Sequence, residues 1–174
     1  SGRGGAEIWM MGADGSQARR LRQIRSSVPS QVLAWTRDPE WLIISQTLPR
    51  KRSHALFLLS CRTGEEFQVS GGGAEGAAGD LNPAVSPDGK LVAFTRGTSS
   101  AWSDIFVARL RLDRRRLDEP VRLTDAHAIV EHLAWLPDSG ALVFSSATTI
   151  SGARHLFRVS ALPGAPHPVT ELGI

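Results

Sequence analysis

Apolar residues in this chain fall in short alternating or continuous runs, and no 3.6-residue pattern persists for three helical turns. Val32 to Ser45 reads Val-Leu-Ala-Trp-Thr-Arg-Asp-Pro-Glu-Trp-Leu-Ile-Ile-Ser. Asn82 to Thr95 reads Asn-Pro-Ala-Val-Ser-Pro-Asp-Gly-Lys-Leu-Val-Ala-Phe-Thr, and His132 to Ser145 reads His-Leu-Ala-Trp-Leu-Pro-Asp-Ser-Gly-Ala-Leu-Val-Phe-Ser. Trp35, Val85 and Trp135 stand fifty residues apart, as do Asp38, Asp88 and Asp138. A second run follows each time, at Ala55 to Leu58, Asp104 to Val107 and His155 to Arg158, with an orphan copy at Glu7 to Met10. A third closes the unit at Arg122-Leu123-Thr124 and Pro168-Val169-Thr170, with Arg20-Leu21-Arg22 belonging to the orphan.

Each unit reads as four short strands. Pro87-Asp88-Gly89 joins the first two by a tight turn in which proline pre-sets φ and glycine accepts a positive one. Ala13-Asp14-Gly15, Arg62-Thr63-Gly64 and Leu162-Pro163-Gly164 turn third strands into fourth ones. A four-stranded unit repeating every 40–50 residues predicts an all-β protein, a β-propeller of four-stranded antiparallel blades. The run from Ser86 to Thr95, then Ser103 to Val107, then Arg122-Leu123-Thr124, resembles the TolB-like β-propeller repeat. The resemblance covers nearly all the chain, and the third unit matches best. The second unit departs at Thr36-Arg37-Asp38-Pro39, and the fourth puts His155 where the motif has aspartate.

The repeat divides the chain into a half blade at 6–31 and blades at 32–81, 82–128 and 129–174. About three and a half blades is fewer than the usual four to eight. An excised piece of a larger propeller, a small propeller closed by the half blade, and a homo-oligomer completing the ring all fit. A start inside a blade favours the first.

Length and composition narrow the class. At 174 residues, 41% hydrophobic and 21% charged, the chain can bury one core. No apolar stretch approaches the ~18 residues of a membrane span, and Ser-Gly-Arg-Gly-Gly at the start lacks a signal peptide's apolar run, so no direct membrane insertion is expected. The formal charge is +3 but the pI is about 10.0, because little titrates between pH 7 and 10 in a chain without tyrosine. A lone Cys61 excludes an internal disulfide and a cysteine zinc site.

In the geometry that the resemblance implies, first strands line a central channel. Loops from fourth to first and from second to third strands share one rim, and the tight hairpins occupy the other. Trp35, Trp135 and Trp41 sit in apolar context and read as packing between blades. Trp102 lies in the small-residue loop Gly97 to Ser103, where an exposed aromatic is a contact anchor unless it folds back over the blade edge. Arg50, Lys51 and Arg52 place three cations in one loop of that rim, a run able to capture an acidic peptide or phosphate. Arg50, Arg52, Trp102, His132 and Arg154 are the candidate binding residues. Arg114 to Arg116 alternate with Asp113, Asp118 and Glu119, which points to local ion pairing and not to a nucleic-acid patch.

Catalytic chemistry has no obvious carrier in this pattern. His127 and His132 are one residue too far apart for His-Glu-x-x-His, and on a strand that spacing sends the rings to opposite faces. No Gly-x-Ser-x-Gly elbow is present. Gly71 to Gly76 lacks the Gly-Lys-Ser/Thr end of a phosphate loop and reads as a flexible connection between blades. No catalytic residue, metal or cofactor is therefore expected, and no nucleic-acid partner. The resemblance implies a non-catalytic scaffold binding a protein or peptide, as in bacterial envelope complexes and sensor proteins, hence a periplasmic or extracytoplasmic location. The alternative it implies is the propeller of a prolyl-oligopeptidase-like serine peptidase, shaping access to a hydrolase domain absent from this chain.

Overall fold

The structure, a computed structural model, describes residues 6–24, 33–48, 53–73, 76–99, 102–125, 128–147, 152–162 and 167–169. Strands β1 (Ala6–Met10) and β2 (Arg19–Ile24) form a two-stranded antiparallel sheet. Next come β3 (Leu33–Trp35), β4 (Trp41–Thr47), β5 (His54–Ser60) and β6 (Glu66–Gln68), paired in sequence order. The third sheet contains β7 (Asp80–Val85), β8 (Leu91–Gly97) and β9 (Ser103–Arg111). A single 3₁₀ turn at Leu112–Arg114 leads to β10 (Arg116–Leu117), which extends the β9 hairpin, and β11 (Val121–Arg122) pairs with β9 as the outer strand. The last sheet is β12 (Ile129–Trp135), β13 (Ala141–Ala147), β14 (His155–Ser160) and β15 (His167–Pro168). β7 starts at Asp80, ahead of the repeat boundary drawn at 82.

The period-two alternation sends successive side chains to opposite faces, and consecutive sheets cover those faces. In β4, Leu42 and Ile44 join Ile8 of the half blade in one core, whereas Ile43 joins Val92 and Phe94 of β8 in the next. β9 splits likewise: Ile105 and Val107 face Leu142 and Phe144 of the last sheet, while Ala108 and Leu110 face back toward the second. Each interface thus contains a cluster of buried apolar side chains from two blades, and full burial of a side chain such as Phe94 or Leu58 stabilises by about 1.5–3 kcal/mol. This radial stacking is that of a propeller. Among the described residues no helix is long and apolar enough to cross a membrane.

The repeated motifs have identifiable structural work. At the first hairpin Gly89 takes φ +75°, while Asp88 accepts bonds from Ser86 Oγ at 2.6 Å and Lys90 N–H at 3.0 Å. Asp104 and the Arg-Leu-Thr run tie third strand to fourth: Arg122 donates to Asp104 at 2.6 Å, and Thr124 Oγ1 donates to it at 3.0 Å while receiving Ile105 N–H at 2.9 Å. The half blade repeats the ionic part with Arg20 and Glu7, 2.9 Å apart. The second sheet keeps only the hydroxyl, Leu56 N–H donating to Ser70 Oγ at 2.9 Å.

Two expectations need correction. Trp135 does pack between blades, its indole N–H donating to the Ala84 carbonyl at 3.0 Å, but Trp35 is 50% exposed. The difference is positional: β12 lies beside β7, whereas among the described residues the sheet preceding β3 has only two strands, and none meets Trp35 as β7 meets Trp135. The glycine-rich run, read as a loose connection, contains a close contact. Gly73 lies against Gly79 and the Gly97 carbonyl, where a Cβ would stand 3.2 Å from each.

Candidate functional site

The loops from second to third strands and from fourth to first strands meet along one rim. His54 N–H, at the start of β5, donates to the Ala78 carbonyl at 2.9 Å, and Gly97 N–H, at the end of β8, donates to the Gly79 carbonyl at 2.9 Å. One unit further on, Ser103 N–H donates to the Ala128 carbonyl at 3.0 Å, and its hydroxyl accepts Val130 N–H at 3.2 Å. His54 is buried in this seam, with Nδ1 3.1 Å from the Ala78 carbonyl and Nε2 3.2 Å from Thr47 Oγ1. Both ring nitrogens are thereby engaged, and the side chain holds the two loops together.

Three of the five candidate residues collect where the third and fourth units meet. Trp102 is half-buried; its carbonyl accepts Thr98 N–H at 2.9 Å, and its own N–H donates to Ser99 Oγ at 3.0 Å, which folds the loop tightly under it. Its neighbour Ser103 is bonded to the chain entering β12. That chain carries Glu131 and then His132, which is exposed with Nδ1 3.4 Å from Ser145 Oγ. Arg154 forks onto Glu131, with Nε to Oε2 at 3.0 Å and Nη2 to Oε1 at 2.8 Å, and also donates to the Gly152 carbonyl at 3.0 Å. Arg50 and Arg52 lie outside the described residues.

Glu131 was not singled out in the sequence, yet it sets the electrostatics of this rim. The bidentate hydrogen bond from Arg154 is the chief cause that holds the Glu131 carboxyl below the ordinary glutamate value, with the Arg154 and His132 charges adding to it. The same bond raises Arg154. Because the folded-state value is lowered, the clasp is intact above the usual glutamate pKa and is lost only as pH falls through the lowered one. An NMR titration of the Glu131 carboxyl is expected to place its midpoint below that of exposed glutamates. Arg154→Gln is expected to return it to the ordinary range, and an unchanged midpoint would disprove the clasp. No periodic signal in the sequence marks Glu131, because the register shifts between Val130 and His132, a β-bulge that turns Glu131 out of the alternation.

The opposite rim is occupied by the β9–β10 hairpin. Asp118 accepts Arg111 at 2.9 Å and lies 3.6 Å from Arg116, and Asp113 lies 3.6 Å from Arg114, so the arginine run is locally paired as expected. Arg115 instead crosses to the neighbouring blade, its guanidinium 4.3 Å from the Phe67 ring centre and 5.6 Å from that of Trp41.

No protein-family model matches the sequence, and no curated protein sequence does either. Solved structures do match. TolB from Acinetobacter baumannii superposes with a TM-score of 0.70 at 23% identity, over 96% of this chain and 38% of that one. A putative TolB from Agrobacterium tumefaciens gives 0.72 at 16% identity, over 94% of this chain and 56% of that one. The β-propeller domain of the Trilobed protease from Pyrococcus furiosus gives 0.59 at 8% identity, over 96% and 50%. The chain thus spans about two fifths to just over half the length of these proteins. With the four-stranded antiparallel sheets and their radial stacking, these likenesses establish that the chain has a TolB-like β-propeller fold.

Proposed function

We propose that this chain is a non-catalytic binding segment that presents the rim around Trp102, His132 and Arg154 to a protein or peptide partner. What supports it is the bonding of the rim loops onto stacked sheets, which positions a half-buried aromatic, an exposed imidazole and a paired guanidinium. Preorganised contact groups lower the ordering cost of association. Fold likeness to TolB favours a bacterial extracytoplasmic setting, such as an envelope complex or the sensing part of a larger protein. The test is to identify a captured partner by mass spectrometry and titrate it, purified, against Trp102→Ala combined with His132→Ala. Affinity is expected to fall at least about tenfold with the melting temperature unchanged, the loss of an aromatic anchor and an exposed polar contact. Unchanged affinity rejects this surface.

A second reading is favoured by the likeness to peptidase structures. Puromycin hydrolase matches at a TM-score of 0.59 and one of two prolyl endopeptidases at 0.61. On that reading the segment shapes access to a hydrolase domain, and a Gly-x-Ser-x-Gly elbow encoded downstream in the same open reading frame decides for it.

A further inference from the structure

The interface between the half blade and the second sheet contains a cavity of about 610 Å³ that its counterpart one blade on is built to fill. In the third sheet, Arg96 spreads over Phe94 and Phe106, its guanidinium 4.8 Å from the Phe106 ring centre, and pairs with Asp80; Arg122 of β11, opposite Phe106, pairs with Asp104. The corresponding positions of the second sheet are Gln46, Phe57 and Gln68, with Ala55 in place of the acid. Among the described residues two arginine–aspartate plugs are thus replaced by amides, and the cavity borders the buried Phe57.

The lining has a definite chemistry. Leu21, Leu48 and Phe57 are apolar, and Gln23, Gln46 and Gln68 carry amides, each with two N–H donors and an acceptor oxygen; Gln68 gives one donor to the Ser70 carbonyl at 2.8 Å, which leaves its oxygen and second N–H for a ligand. The carboxylate in the lining, Glu66, is already held by Arg22 at 2.8 Å and Gln46 Nε2 at 3.0 Å. Arg22 remains 38% exposed and has five N–H donors, so it can receive a second carboxylate beside Glu66. Primary amides pair with a peptide main chain through adjacent donor and acceptor. Phosphate offers acceptors only and would leave the amide oxygens unmatched. Arg20 at the cavity edge is already paired with Glu7 at 2.9 Å, so Arg22 is the cation that recognises an acidic group there.

From this we infer that the cavity binds an extended peptide segment bearing an acidic side chain beside an aliphatic one. The acid meets Arg22, the main chain the glutamine amides, and the aliphatic group Leu48 and Phe57. This rests on the binding-module reading but uses a different surface from the Trp102 rim.

The probe is the acetylated peptide Leu-Glu-Leu-Glu-Gly-Gly, added to the isotope-labelled chain and compared with its glutamine version and with inorganic phosphate. The acidic probe is expected to shift the side-chain amide signals of Gln23, Gln46 and Gln68, and the glutamine version to need at least about tenfold more, the cost of one charge-assisted hydrogen bond. Arg22→Gln and Gln68→Glu should each weaken the acidic probe by about that factor. The second places a repelling charge without touching the Arg22–Glu66 pair, so it still decides if the first unfolds. Trp102→Ala and Arg154→Gln should leave the probe unaffected. Unmoved glutamine amides, equal binding of the glutamine version, an equal response to phosphate, or full binding by Gln68→Glu would each overturn the inference. Loss through Trp102→Ala with retention by Gln68→Glu would do so while leaving the rim as the binding surface.

Discussion

Replacing Gly79 with alanine is expected to destabilise the domain by about 3 kcal/mol or more, the range of a substitution that combines backbone strain with a core clash. Gly79 has φ +85°, a conformation that disfavours a Cβ, and its backbone bridges to His54 in parallel fashion. A Cβ there would overlap the His54 carbonyl, the His54 nitrogen and Ser53 Oγ, and two of these are main-chain atoms that no rotamer change can clear. The seam they belong to joins the entry of β5 to the connection that leads into β7, so relief of the clash means separating two blades. Gly15 provides the control, since it has φ +82° with nothing within 4 Å of its Cβ position. Gly15→Ala is expected to cost only about 1–2 kcal/mol, the left-handed backbone penalty alone. Urea denaturation midpoints of the two variants compare them directly. Equal losses would show that packing at Gly79 contributes nothing.

The contrast explains what could be read from the chain beforehand. Strand number, blade order and the hairpin turns follow from alternation and from Pro-Asp-Gly, which are local signals, and a fifty-residue period turns one blade into an array. Trp35 shows the limit. Its context shares Leu-Ala-Trp and the aspartate three residues on with that of Trp135, and the sheet standing before it decides whether the indole is covered. Glu131 and Arg154 are 23 residues apart and meet because a bulge rotates one and a loop returns the other, neither of which leaves a periodic trace. The cavity beside Phe57 was legible only as a departure. Gln46 and Gln68 stand where the best-matching unit has arginines, and a comparison of units by charge would have found it.

Asp80 is the other position whose loss is expected to be costly, and it was not singled out in the sequence either. The carboxylate is 0% exposed and accepts from Arg96 Nε at 2.7 Å and Nη2 at 3.1 Å, while the guanidinium lies across the adjacent rings of Phe94, at 5.3 Å, and Phe106, at 4.8 Å. Asp80→Ala leaves that guanidinium, 22% exposed, across the two rings without its counter-charge, and because solvent reaches it the cost is expected at the lower end of breaking a buried pair from one side, about 3 kcal/mol. The exposed pair Arg62 and Glu40, 3.2 Å apart, should by contrast contribute at most about 1 kcal/mol. If the penalty is one of uncompensated charge, then Asp80→Ala with Arg96→Met, which removes both charges and keeps an unbranched side chain over Phe106, should recover most of the loss. A thermal denaturation cycle over the four proteins measures this coupling. Recovery means that the pair is an electrostatic lock between first and second strands of the blade. A double variant as unstable as the sum of the two single ones would mean that Asp80 acts through shape alone.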